Sequence, residues 1–115
     1  MKKIAILTCL RANDVCAGCG CLSAFQDRKK HFERYAGEDV RLIAFMRCSH
    51  CLREGGDPME DAGFVEMLER LVREGTEVVH VGVWAGRSPA GACPGMARML
   101  REFEARGVEV VWGTH

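Results

Sequence analysis

The sequence predicts an α/β fold of the flavodoxin-like type: a three-layer sandwich with three helices around a four-stranded parallel sheet of strand order 2-1-3-4. Four short runs are nearly continuous in Val, Ile, Leu and Phe, which is typical of strands covered on both faces. Three segments between them carry apolar residues at the spacing of a helix face. Strands and helices alternate strictly, so right-handed crossovers give a parallel sheet with helices on both sides. The order 2-1-3-4 places a switch point between the first and third strands.

The elements follow one another in regular alternation. The predicted strands cover residues 3–8, 40–46, 77–83 and 108–112. The predicted helices cover residues 22–35, 59–74 and 95–106. Gly75 and Gly107 stand just past the second and third helices, where glycine is the common C-cap, and Pro94 suits the first turn of the third helix.

Each predicted helix has one apolar face. The faces consist of Leu22, Phe25 and Phe32 in the first helix, Val65, Leu68, Leu71 and Val72 in the second, and Met96, Met99, Leu100 and Phe103 in the third. Residues at positions i, i+3, i+4 and i+7 lie on one side of a helix. We therefore expect these side chains to be buried against the sheet.

Length, charge and hydropathy limit the class of protein. The chain has 115 residues, the usual size of one domain, so we expect residues 1–115 to form a single α/β domain. Sixteen basic residues balance sixteen acidic ones, which gives no electrostatic reason to expect nucleic acid or an anionic membrane as a partner. No apolar run approaches the roughly 18 residues of a membrane span, and the first apolar stretch is too short for a signal peptide. We therefore expect a cytoplasmic protein.

The chain contains seven cysteines. In a small secreted protein such a count indicates disulfide bonds, but here the number is odd and no signal peptide is expected. Cysteines in a cytoplasmic chain that is long enough to fold without cross-links indicate metal or redox chemistry instead.

The cysteines follow the predicted strand ends. The loops 9–21, 47–58 and 84–93 contain, in order, Cys9, Cys16, Cys19 and Cys21; Cys48 and Cys51; and Cys93. His115 follows the fourth strand, and we expect it to be ordered at the same edge. Parallel strands end at one edge of the sheet, where open α/β folds bind ligands, and neighbouring strands are only about 4.8 Å apart. We therefore expect these side chains to converge.

Thiolates and imidazoles are ligands that zinc and iron–sulfur clusters prefer. Two turns, Cys48-Ser49-His50-Cys51 and Cys16-Ala17-Gly18-Cys19, could each hold a metal with two thiolates. We predict a metal site, with zinc as the first choice and an iron–sulfur cluster as the second. The expected inner ligands are Cys9, Cys48, Cys51 and Cys93, and the expected next ring is Cys16, Cys21 and His115.

Two other interpretations stay open. Cys48 and Cys51 could form the dithiol of a metal-free thiol–disulfide oxidoreductase activated by His50, or the chain could be a partner-binding module that keeps its cysteines reduced. The many candidate ligands beyond one pair favour the metal site, in a role such as electron transfer or metal sensing that would involve a protein redox partner. Of the remaining histidines, we expect His80 in the core and His31 in solvent.

Several segments together form a family pattern. They are the first strand ending at Cys9, Cys16 to Cys21 with the following Leu22-Ser23-Ala24-Phe25, Phe32-Glu33-Arg34-Tyr35, Val78-Val79-His80-Val81, Cys93-Pro94 and Gly113-Thr114-His115. Through them nearly the whole chain resembles the CGGC-domain family, named for a Cys-Gly-Gly-Cys after the second strand. Here that signature reads Cys-Ser-His-Cys, Cys19 is additional to the family pattern, and a further cysteine expected near Trp84 is absent. The resemblance implies a metal-binding domain and no particular reaction.

Overall fold

A parallel sheet lies at the centre of the structure, a computed structural model that describes residues 1–48, 56–82 and 88–115. The described strands are β1 (Lys2–Thr8), β2 (Val40–Arg47), β3 (Val78–Val81) and β4 (Glu109–Trp112). They pair in the order β2-β1-β3-β4, and every pair is parallel. The predicted α/β class and the strand order 2-1-3-4 are confirmed.

The α-helices of the described residues are α1 (Cys19–Asp27), α2 (Ala62–Arg73) and α3 (Pro94–Ala105). α2 begins later than predicted because Asp61 caps it: its carboxylate accepts the N–H groups of Gly63 and Phe64 at 2.8 and 3.4 Å, as N-cap aspartates commonly do. A short 3-10 turn (Pro58–Glu60) occupies the start of the predicted helix. None of the helices in the described ranges is long and apolar enough to cross a membrane.

The first predicted helix, residues 22–35, is wrong in its bounds. α1 ends at Asp27 because Arg28 and Lys30 adopt left-handed backbone conformations, with φ of 54° and 55°, which a right-handed helix cannot include. A separate 3-10 helix (Lys30–Tyr35) follows. α1 also starts three residues earlier than predicted, at Cys19. Residues 19–21 of the predicted cysteine loop are therefore helical.

Two side chains predicted for the core face solvent instead. Leu22 and Val72 are each 36% exposed, because they stand at the margin of the apolar faces of α1 and α2. In α2 the buried face consists of Phe64, Leu68 and Leu71. The apolar face predicted for α3 is buried as expected.

β1 separates two hydrophobic clusters, which confirms the predicted layers. Ile4 and Ile6 belong to a cluster with residues of α1 and of the 3-10 helix; we call this side of the sheet the α1 face. Ala5 and Leu7 belong to a cluster with residues of α2 and α3 on the opposite side, which we call the α2/α3 face. This alternation follows from the two-residue period of a strand.

A β-bulge in β2 determines which side chains reach each face. Ile4 of β1 pairs with Leu42, but Ala5 pairs with Ala44, so Ile43 is an extra residue in β2. One extra residue moves every side chain that follows it to the other face of the sheet. The residues of β2 after Ile43 therefore lie on the faces opposite to those that an unbroken strand would give them. Ala44, Met46 and Cys48 contact the α2/α3 cluster, whereas Leu42 and Phe45 contact the α1 cluster.

Candidate metal centre

Three cysteines from separate parts of the chain contact the α2/α3 cluster; we call Cys9, Cys48 and Cys93 the first cysteine group. Cys9 directly follows β1, Cys48 directly follows β2, and Cys93 is the N-cap residue of α3. Cys48 is only 9% exposed, and its Sγ lies 4.0 Å from Sδ of Met99. Strand ends and a helix start therefore bring these three to one face of the sheet.

Cys21 belongs to the cluster on the α1 face, and Cys16 lies close enough to raise the pKa of Cys21; we call Cys16 and Cys21 the second cysteine group. Cys21 lies in the first turn of α1 and is 3% exposed, and its Sγ is 3.1 Å from Oγ1 of Thr114. Burial raises the pKa of the Cys21 thiol, and the hydrogen bond with Thr114 offsets part of this rise. Sγ of Cys16 accepts the N–H of Gly18 at 3.3 Å. Cys21 therefore favours the neutral thiol in this structure, and it would have to lose its proton to bind a metal.

Arg47 fastens the loop that carries Cys16. Its guanidinium donates to Oγ1 of Thr8 at 3.1 Å and to the carbonyl of Cys16 at 3.0 Å, and it lies over the ring of Phe45. Since the bulge in β2 assigns Phe45 to the α1 face, Arg47 at the end of the same strand is placed between the loop and β1. Its role in holding this loop could not be predicted from the sequence.

His115 lies beside the start of α1. Its imidazole is packed so closely on Gly20 that a Cβ there would be 2.8 Å from both Cε1 and Nε2 of the ring. Only glycine permits such an approach. The side chain is otherwise exposed to solvent. The structure therefore places His115 with the second cysteine group rather than with the first.

His80 is fully buried in β3, as predicted for a core histidine. Its Nδ1 lies 2.9 Å from the carbonyl of Gly113, and its Nε2 lies 2.7 Å from the hydroxyl of Tyr35. A carbonyl only accepts hydrogen bonds, so Nδ1 carries the proton and Nε2 accepts the Tyr35 O–H. Burial lowers the pKa of His80 to about 4 and raises the pKa of Tyr35 to about 12. Both groups are therefore neutral at neutral pH, as this hydrogen-bond pattern requires.

The predicted ligands do not form one cluster in the described residues. Within residues 1–48, 56–82 and 88–115, no three Cys, His, Asp or Glu side chains come together in a way that could hold a metal ion. Cys51 and His50, which belong to the Cys-x-x-Cys sequence that begins at Cys48, lie outside the described residues. Cys19, predicted in a loop, is the exposed first residue of α1.

Sequence reasoning also missed Thr114, the buried partner of Cys21. The signal that could have pointed to it is indirect. Gly20 and Gly113 are both positions where a Cβ would collide with a histidine ring, and a glycine outside a turn often marks such a close approach.

The fold and the placement of the cysteines define the class of protein: a cysteine-rich α/β protein with thiols at the carboxyl edge of a parallel sheet. The family model of the CGGC domain matches residues 3–115, and the chain therefore belongs to the CGGC-domain family. The comparisons with curated proteins and with solved structures found no match. Family membership suggests a metal-binding role in general and identifies neither the metal nor a reaction.

Proposed function

We propose that this protein binds a thiophilic metal centre at the carboxyl edge of its sheet, with zinc as the first candidate and an iron–sulfur cluster as the second. The inner ligands are Cys9, Cys48, Cys51 and Cys93. Cys16, Cys21 and His115 form an outer ring on the other face. Residues 1–115 act as one cytoplasmic domain, where the reducing environment keeps these thiols available.

The observation that carries this proposal is that the three cysteines of the first group lie on the same face of the sheet. Cys9, Cys48 and Cys93 are far apart in sequence, yet all three contact the same hydrophobic cluster on the α2/α3 face. A scattered set of structural cysteines would have no reason to follow two strand ends and a helix start on one side of a sheet. The partly buried position of Cys9 and Cys93 also suits ligands that must be shielded from water and still admit a metal.

The donor chemistry fits the proposed metals. Thiolate sulfur is a soft ligand that zinc and iron–sulfur clusters accept and that magnesium and calcium do not. The described residues alone provide no closed ligand set, so the proposal assigns the fourth inner ligand to Cys51 of the Cys-x-x-Cys sequence. When bound, zinc would provide a Lewis acid or a structural cross-link, and an iron–sulfur cluster would provide an electron carrier for electron transfer or sensing.

The direct test is elemental analysis of protein purified without oxygen and without an affinity tag that binds metal. Near-stoichiometric zinc in colourless protein supports the zinc form. Iron with acid-labile sulfide and visible absorption supports the cluster. Protein that contains neither, and that takes up neither when zinc or iron and sulfide are supplied, would reject the proposal.

Ligand variants then test the assignment. Cys48→Ala and Cys93→Ala should each weaken metal retention at least about ten-fold, by the scale seen when a metal site loses a supporting group, and Cys51→Ser should do the same. Alanine is chosen at Cys48 because a serine hydroxyl would be buried there. The matched control is Cys19→Ser, at an exposed thiol outside both groups, which should retain metal. Equal retention in all four variants would show that the ligand set is wrong.

The thiol–disulfide oxidoreductase remains the alternative, and the burial of Cys48 is the observation that favours it. In a working dithiol one cysteine is exposed for attack while its partner is shielded, and Cys48 has the shielded position. Metal-free protein in which Cys48 and Cys51 form a reversible disulfide, and in which Cys51→Ser abolishes disulfide reduction, would establish this alternative.

A further inference from the structure

The residues after β4 are held by several polar contacts. The carbonyl of Gly113 accepts Nδ1–H of His80, and Tyr35 in turn donates to Nε2 of the same ring. Thr114 is completely buried, and its carbonyl accepts the backbone N–H of His31 at 3.3 Å. Two separate elements, β3 and the 3-10 helix, therefore hold the segment 113–115 against the α1 face.

Close approaches to two glycines hold the same segment. Gly113 has φ of 149°, and a Cβ there would collide with the imidazole ring of His31. At the other end of the segment, the ring of His115 occupies the space above Gly20 in α1. The segment 113–115 thus lies in a narrow slot: no side chain fits at Gly113 within the segment or at Gly20 in the helix beside it.

The position of the segment 113–115 affects Cys21, which contacts Thr114. Its Sγ contacts Oγ1 of the fully buried Thr114, and Cys21 itself is only 3% exposed. Thr114 is the side-chain hydrogen-bond partner that lowers the pKa of this thiol against the effect of burial. Movement of the segment 113–115 would therefore remove the polar partner of Cys21 and admit solvent to it.

We propose that Tyr35 and His80 are positioning residues that hold the segment 113–115 over Cys21, so that the chemical accessibility of this thiol is set by a hydrogen-bond relay on the α1 face. His80 is the central member, because its two ring nitrogens bond the hydroxyl of Tyr35 and the carbonyl of Gly113. The relay acts on Cys21 through Thr114. This inference goes beyond the proposed metal binding and does not rest on it.

The test measures the alkylation rate of each cysteine in the native, metal-free protein, with N-ethylmaleimide as the probe and peptide mass spectrometry as the readout. Tyr35→Phe removes one hydrogen bond and keeps the ring, so Cys21 should react roughly five-fold faster. His80→Leu removes both hydrogen bonds of the ring, and the acceleration should be on the order of thirty-fold. His80→Gln can still donate to Gly113 and accept from Tyr35, so it should restore most of the protection.

Other cysteines provide internal standards. Cys48 is buried on the opposite face, so its reaction reports opening of the α2/α3 core, whereas exposed Cys19 should react rapidly in every variant. The ratio of the Cys21 rate to the Cys48 rate therefore separates release of the segment 113–115 from general unfolding. The matched control is Phe103→Leu in the α2/α3 cluster, which destabilises the fold without touching the relay.

The outcomes are distinct. A higher ratio in Tyr35→Phe and His80→Leu, with recovery in His80→Gln and no rise in Phe103→Leu, supports the positioning role. A ratio in His80→Leu that is no higher than in the wild type would overturn it. Elemental analysis of the wild-type samples reports on metal binding separately, so a metal-free protein with this pattern of protection would reject the proposed function and leave the positioning role intact.

Discussion

Acid should destabilise this protein through His80. The pKa of His80 is about 4 in the folded protein, because burial disfavours the imidazolium, compared with 6.5 for an ordinary histidine. Between pH 6.5 and about 4, His80 is protonated in the unfolded chain and stays neutral in the folded chain. Folding stability is therefore complete above pH 6.5 and is lost progressively as the pH falls toward 4.

The magnitude follows from the difference between 6.5 and about 4. Each pH unit of difference corresponds to about 1.4 kcal/mol, so the complete loss is about 3 kcal/mol. About 2 kcal/mol of it falls between pH 7 and pH 5, where ordinary carboxylates titrate little. The polar groups that contact the ring are the hydroxyl of Tyr35 and the carbonyl of Gly113. Burial lowers the pKa most, the hydrogen bond to Gly113 raises it in part, and the charges of Arg34 and His31 lower it further.

The assay is urea unfolding, followed by circular dichroism, at a series of pH values from about 8 to about 4. His80→Gln is the informative variant, because glutamine keeps hydrogen-bonding groups in the cavity and has no proton to gain. Its free energy of unfolding should fall by about 2 kcal/mol less than that of the wild type between pH 7 and pH 5. His115→Gln, at an exposed histidine that is not among the groups shifting the pKa of His80, serves as the control and should follow the wild type. Parallel pH profiles for the wild type and His80→Gln would refute the reasoning.

Two further predictions concern the α1 face. Gly113→Ala should cost about 1–3 kcal/mol of stability, since φ there is 149° and the space is occupied. Gly37→Ala, at a glycine that also has positive φ but an open Cβ position, should reduce the free energy of unfolding by less. Equal reductions for the two variants in urea unfolding would show that the space at Gly113 is not tight. Arg47→Met should cost about 1–2 kcal/mol and accelerate alkylation of Cys16, whose carbonyl it binds. Arg41→Met, on the exposed side of the same strand, should change neither quantity, and equal effects of the two arginine variants would contradict the anchoring role.

The sheet could be predicted from the sequence because its physical cause is local. Continuous apolar runs identify strands covered on both faces, and their alternation with helices leaves few topologies. The break after α1 was not predictable in this way. Arg28 and Lys30 are ordinary helix-forming residues that the tertiary structure holds in left-handed conformations, and residue type gives no sign of this.

The sequence predicts which edge of the sheet holds the cysteines, but not on which face of the sheet each of them lies. Strand ends place the cysteines at the carboxyl edge by topology alone. The extra residue Ile43 then decides that Cys48 contacts the α2/α3 cluster while Phe45 contacts the α1 cluster. An isoleucine inside an apolar strand carries no mark of a bulge, because bulges arise from how two strands are paired.

This division by faces limits how many of the cysteines one metal ion can use. Zinc–sulfur bonds are about 2.3 Å long, so two thiolates on one ion lie within about 4 Å of each other. Cys21 and Cys48 are buried in clusters on opposite sides of the sheet, and β1 and β2 lie between them. An ion bound by the first cysteine group should therefore survive the loss of the second: Cys21→Ala should retain most of the metal that Cys48→Ala releases. Elemental analysis of the two variants, matched for apo-protein stability by urea unfolding, decides the point, and equal metal loss from both would mean that the two faces supply one centre after all.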